Sequence, residues 1–173
     1  MTFFLFIPVG FLIIVLQSAL FNQLPMFLGI YDLLIPYVIF LGFNRPANET
    51  IPLILLFGFI QDSISAGPFG IYITTYLWIT FGIFWLVQFL HAGGIVLFPV
   101  FVVIGILIET VIFLGTSAIV IPEFAIYPET VTVLILQVAW AILTAPFILV
   151  LLRWAVVKFK SEPSESTGEK NGK

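Results

Sequence analysis

No lysine or arginine occurs between Arg45 and Arg153, and most of the chain between them is Ile, Leu, Val, Phe and other apolar residues. A water-soluble domain carries about 25% charged residues; here 9% of 173 residues are charged and 61% are hydrophobic. Such a chain has too little polar surface to clothe a core in water. Long, nearly charge-free runs are what helices in lipid require. The alternating ten-residue strands of an outer-membrane barrel are absent. The expectation is an all-α, polytopic membrane protein.

Composition removes several function classes. The chain has no cysteine, so disulfides and thiolate metal sites are excluded, and its single histidine, His91, cannot form a multi-histidine centre. Segment 1–21 has no Lys or Arg ahead of its apolar run and no small-residue cleavage site, so it reads as a first anchor rather than a signal peptide. The net charge of −3 says little, because much of it resides in loops and a short tail.

Six apolar runs are predicted to span the membrane, at residues 2–21, 28–43, 51–65, 71–90, 95–120 and 130–157. About 20 residues cross a core of about 30 Å at 1.5 Å per residue. The second and third runs are short and must thin the bilayer or be shielded by neighbours. Polar breaks separate the runs: 44–49 around Arg45-Pro46, 91–94 with His91, and 121–129 with Glu123 and Glu129. Residues 161–173 read as a disordered tail. With six spans, Arg45 and the C-terminal basic residues fall on one side and no basic residue on the other. That is the positive-inside pattern, placing both termini in the cytoplasm. Trp154 suits the inner interface, Phe124 and Tyr127 the outer one.

The stretch Gly58-Phe-Ile-Gln-Asp62-Ser-Ile-Ser-Ala-Gly67-Pro68-Phe-Gly70 gathers polar and helix-breaking residues at the outer ends of the third and fourth runs. Glycine admits positive φ and proline ends a helix, so Gly67-Pro68-Phe69-Gly70 reads as a tight reversal. Asp62 has two readings: a hydrated loop residue, or a buried carboxylate that fixes the helix end by hydrogen bonds. A carboxylate at membrane depth costs about 2.5–3.5 kcal/mol on insertion scales and needs a proton, water or a partner.

Glu109 lies midway along the fifth run. It reads either as a neutral group bonded to a neighbouring helix through Gln137, Thr144 or Gln17, or as part of a proton-coupled step or partner contact. Ala141 and Ala145, four apart, allow close helix approach, within the chain or to a partner's helix; Gly58 and Asp62 share the same spacing. Gln17, Asn22 and Gln23 make the outer end of the first run polar, for headgroup contact or, with Asp32 and Asp62, for an outward-opening cavity. Arg45, Arg153, Lys158 and Lys160 suit inner-leaflet phosphates or a cytoplasmic partner. No catalytic triad, phosphate loop or dinucleotide fingerprint is present, and Glu109 and Asp62 are placed at different depths, so enzyme activity is not expected. No cofactor or metal site is expected.

The segment "FGFIQDSISAGPFGIYITTYLWITFGIFWL" resembles the central signature of the rod shape-determining MreD family: a Gly-containing apolar helix ending in an Asp, a short loop, and a Gly opening the next helix. "VIGILIETVIFLG" is similar to the family's fifth helix with its mid-helix Glu, here Glu109. "TVLILQVAWAILTAPFILVLLRWAVVKFK" is similar to its last helix, where Pro146 matches a recurrent proline and Gln137 replaces a common Asn. The likeness covers nearly the whole chain. It implies a bacterial cytoplasmic-membrane scaffold that binds the bitopic protein MreC and, through it, the complex of MreB, RodA and a class B penicillin-binding protein for lateral peptidoglycan synthesis. It also implies a fold like that of the substrate-binding subunits of energy-coupling-factor transporters.

Two other readings stand beside it. One is a vitamin-type substrate-binding subunit, against which the first run lacks the Ala-x-x-x-Ala face often used there. The other is a small proton-coupled transporter built on Glu109, for which no inverted repeat is evident. The topology is tested by cysteine labelling from outside intact cells. Single cysteines at 45 and at 170 are expected to be protected together and a cysteine at 67 to react; labels on opposite sides at 45 and 170 would overturn the six-span reading.

Overall fold

The computed structural model describes the backbone of residues 3–23, 31–65, 67–87, 94–120 and 128–160, and side chains over 6–19, 31–65, 67–86, 97–120 and 130–154. Helices α1 (Phe3–Gln23), α2 (Leu34–Asn44), α3 (Ala47–Ile64), α4 (Ile71–Val87), α5 (Gly94–Val120) and α6 (Pro128–Lys160) are the regular elements among these residues. Two of them contain segments, Leu97–Val120 and Thr130–Trp154, long and apolar enough to cross a membrane.

The shortest helix is the central one. In α2, residues Leu34 to Gly42 are all buried, and the helix packs on every one of the other five. Its 11 residues extend only about 16 Å. Around it, α1 packs on α3, α3 on α4, α4 on α5 and α5 on α6, whereas α6 and α1 have no comparable packing among the described residues. The five outer helices therefore form an open ring. Pro36 is the third residue of α2, where a missing N–H costs nothing because the first turn has no intrahelical acceptor.

Two boundaries differ from the sequence expectation. The break at 44–49 contracts to Arg45-Pro46, because α3 already begins at Ala47. Asn48 and Glu49 look like loop residues but sit in a first helical turn, where an acidic group meets the positive end of the helix dipole. Likewise Pro128 and Glu129 open α6 rather than close the preceding loop; proline is well suited to the first helical position. His91, Asn22, Gln23, Glu123, Phe124, Tyr127 and the tail 161–173 lie outside the described side chains.

The bundle is apolar outside as well as inside. Each outer helix exposes large apolar groups, among them Phe11, Phe59, Trp85, Val111 and Phe147, while Gln17, Asp32, Gln61 and Asp62 are buried. Where a helix faces lipid, apolar surface gains little from association, so packing and internal hydrogen bonds must hold the bundle. Small residues permit that packing. At Gly105 an added Cβ would lie 2.7 Å from Ile35 Cγ2, and at Gly58 it would lie 2.9 Å from the Cα of Ile73. Ala141 and Ala145 are fully buried in the core shared with α2 and α5.

At one end of α2, the Tyr37 hydroxyl donates to the carbonyl of Phe6 at 2.5 Å. Beside it the Arg45 guanidinium lies 4.6 Å from the centre of the Phe6 ring and 3.5 Å from the Glu49 carboxylate. The C-terminal end of α2 is thus tied to α1 and α3.

Because the atom facing Gly58 belongs to backbone and cannot rotate away, Gly58→Ala is expected to destabilise by about 1–3 kcal/mol. Gly82→Ala, where nothing lies within 4 Å of the added Cβ, is expected to be neutral or slightly stabilising. Thermal unfolding of the purified variants in detergent measures the difference; equal midpoints would contradict the tight α3–α4 contact.

Candidate functional site

Asp32 organises the other end of α2. The chain enters α2 through Tyr31, Asp32 and Leu33, and Asp32 is 5% exposed. Its carboxylate accepts the N–H of Leu34, two residues on, at 2.9 Å, an arrangement that short acidic side chains favour ahead of a helix. It also accepts the Tyr76 hydroxyl from α4, and the Gln17 side chain of α1 lies beside it. Gln17 is fixed in turn, since its Oε1 accepts the N–H of Leu33 at 3.1 Å. Thr144 donates to the carbonyl of Trp140 at 2.7 Å, which leaves its oxygen as acceptor for the Tyr31 hydroxyl at 2.7 Å. These bonds join α1, α4 and α6 to the start of α2.

Next to this knot lies a cavity of about 370 Å³. All five ring helices reach it: α1 with Gln17 and Ser18, α3 with Gln61 and Ser65, α4 with Tyr72, α5 with Glu109 and α6 with Gln137. Asp32 closes its inner side as a further lining residue, and no Lys, Arg or His is among the described residues around it. Gln61 is 8% exposed, and its side chain has no hydrogen-bond partner among the described residues, nor does Glu109.

Asp62, adjacent in sequence to Gln61, points elsewhere. Its two oxygens accept the N–H groups of Tyr72 at 3.0 Å and Ile73 at 3.2 Å. Those are among the first N–H groups of α4, which have no partner within their own helix. The residue is 4% exposed, so Asp62 is a buried cap for the next helix, the second of its two readings. Gly58, one turn earlier, allows the approach of α4 that makes this bond possible. In the reversal, Gly70 has positive φ, at 102°, and Gly67 donates its N–H to Ser65 Oγ at 3.2 Å.

Other candidates separate. Asp62 does not join Asp32 in the cavity, whereas Gln17 does. Gln17 and Gln137 share the cavity with Glu109, but Thr144 is engaged by Tyr31 instead. Ala141 and Ala145 are used within the chain, and Pro146 is exposed on the outside of α6. Arg45 is held by Glu49 and Phe6, and Arg153 is exposed. Lys158 and Lys160 fall in the last turns of α6, with side chains outside the described ones. Gln61, Ser65, Tyr72 and Tyr76 were not evident beforehand. Gln61 and Asp62 had a detectable signal, because neighbours on a helix face about 100° apart and two adjacent polar residues must serve two different surfaces.

Chemically the cavity offers two carboxylates, three carboxamides and hydroxyls. No group of three or more His, Cys, Asp or Glu that could hold a metal ion occurs among the described residues. Compared with profiles of known protein families, with curated proteins and with solved structures, the chain has no match.

Removing the α4 cap strands two buried N–H groups. Asp62→Ala is expected to cost about 1–2 kcal/mol, read as a lower unfolding midpoint in detergent. Ser63→Ala, on the exposed face of α3, serves as the control; a midpoint for Asp62→Ala no lower than that control would remove the capping role.

Proposed function

We propose that this chain is a six-span, non-enzymatic scaffold of the bacterial cytoplasmic membrane of the MreD type. In this reading both termini are cytoplasmic, and the chain binds the bitopic protein MreC and supports MreB, RodA and a class B penicillin-binding protein in rod-shaped wall growth. The observation that carries it is the apolar exterior of the bundle: every ring helix turns apolar side chains outward, and α2 is enclosed by the other helices. A helix as short as α2 cannot cross about 30 Å of hydrocarbon alone, but enclosed by five others it has no lipid to face. This supports six crossings although only α5 and α6 contain segments that meet the length and hydropathy test by themselves. The order and spacing of the segments around Asp62, Glu109 and Pro146 support the family.

The connections favour a protein that acts through helix faces. Between α2 and α3 stand only Arg45 and Pro46, and α3 and α4 are joined by residues 65–70. Partner contacts in this reading are made at membrane level. The Ala141–Ala145 face is occupied inside the chain, which leaves the opposite side of α6, with Leu143, Pro146, Phe147 and Val150 exposed, as the face available to a partner's transmembrane helix.

Depletion in the source cell is expected to round rod-shaped cells, and co-expression with the MreC of the same genome is expected to give a complex that survives detergent extraction. Rods of normal shape after complete loss, or no co-purification, would overturn this reading. Phe147→Ala combined with Leu143→Ala is expected to weaken the complex at least tenfold with unchanged expression, in the range of large apolar contacts at an interface centre.

A further inference from the structure

The cavity at the Asp32 end has no task in a scaffold. Its volume of about 370 Å³ is at the small end of the range for small-molecule sites. Besides Ile14 and Ile64, its lining residues are polar, in an otherwise apolar bundle. A bundle that needed only cohesion would fill this space with apolar side chains.

The distribution of satisfied and unsatisfied groups gives the chemistry. Asp32 already accepts from Leu34 and Tyr76 and is fixed as a wall. Gln61, more than nine-tenths buried, and Glu109 face the cavity without a partner among the described residues. Water or a ligand entering the cavity is the partner open to them. Two carboxyl groups in one cavity, with no basic side chain among the described lining residues, repel an anion and attract a cation. A hard metal ion needs six or more oxygen ligands closing tightly around it, which the described acidic groups do not form. An ammonium group, with three N–H donors on one centre, matches Glu109 together with the carboxamide oxygens of Gln61 and Gln137. Entry is available at the seam: Gln17 and Ser18 of α1 and Gln137 of α6 line the cavity where those two helices do not close the ring.

We propose that this cavity binds a small organic cation, with its ammonium group held by Glu109 and the carboxamides of Gln61 and Gln137. The proposal does not depend on the scaffold reading. The test is calorimetric titration of the purified full chain in detergent with n-butylammonium, 1,4-diaminobutane and agmatine, each beside an alcohol of the same shape. Saturable binding of at least one ammonium is expected, weakened about tenfold or more by Glu109→Gln and by exchange of ammonium for hydroxyl. Trp78→Leu, on the outer surface, should leave it unchanged. The proposal is overturned if none of the three cations binds saturably, if the alcohols bind as well, or if binding survives both Glu109→Gln and Gln61→Leu. The wild-type titration alone decides the first two outcomes, whatever the fold of the variants.

Discussion

A carboxylate buried at the head of α2 is the constraint on which the rest of the bundle depends. Held away from bulk water, Asp32 must be compensated locally, and its donors come from two places, the next turn of its own chain and Tyr76 of α4, while Gln17 of α1 accepts the N–H of the adjoining Leu33. Each bond is directional, so together they set where α1 and α4 stand around the central helix. Apolar packing alone is poorly directional, and in lipid it loses most of its advantage over contact with acyl chains. Hydrogen bonds in a low-dielectric interior supply the missing selectivity, and they do so here at the end of the shortest helix. The Tyr31–Thr144 bond extends the same control to α6.

The opposite end of α2 is held by different means. There Tyr37 reaches a backbone carbonyl of α1, and Arg45 lies over the Phe6 ring while pairing with Glu49. That ion pair is partly exposed and of modest energy; the aromatic contact and the buried hydroxyl give it a fixed geometry. Between the two ends, glycines let side chains of one helix enter the backbone of the next, Gly105 against Ile35 and Gly58 against Ile73. The middle of the bundle is therefore a matter of shape, and its ends are a matter of polar chemistry.

Much of this architecture is written in the chain and some of it is not. The six helices follow from apolar runs separated by polar or Gly-Pro breaks, and α2 is recognisably too short to face lipid. Helix starts were harder, since Asn48-Glu49 and Pro128-Glu129 have the composition of loops yet suit a first turn, where polar and proline residues replace missing hydrogen bonds. The capping by Asp62 was one of two open readings, because one sequence permits a carboxylate in water or against α4. The cavity is legible only in part: Gln17 with Asp32, and Glu109 with Gln137 or Gln17, are readable as neighbours, whereas Gln61, Ser65 and Tyr72 are not. Its members come from all five ring helices, and no local pattern states which faces of distant helices meet. Glu109 announced itself by its insertion cost, but its neighbour across the cavity is Asp32, not Asp62.

Gln61 and Asp62 sit side by side on α3 yet serve separate surfaces, one the cavity and the other the first turn of α4. A rigid helix cannot move one without the other. Twisting α3 about its axis by a fraction of a turn would withdraw the carboxamide from the cavity and pull the carboxylate off the neighbouring helix in the same motion. The cavity wall and the start of α4 are thus mounted on one rigid rod, so a rotation of that rod would disturb both together.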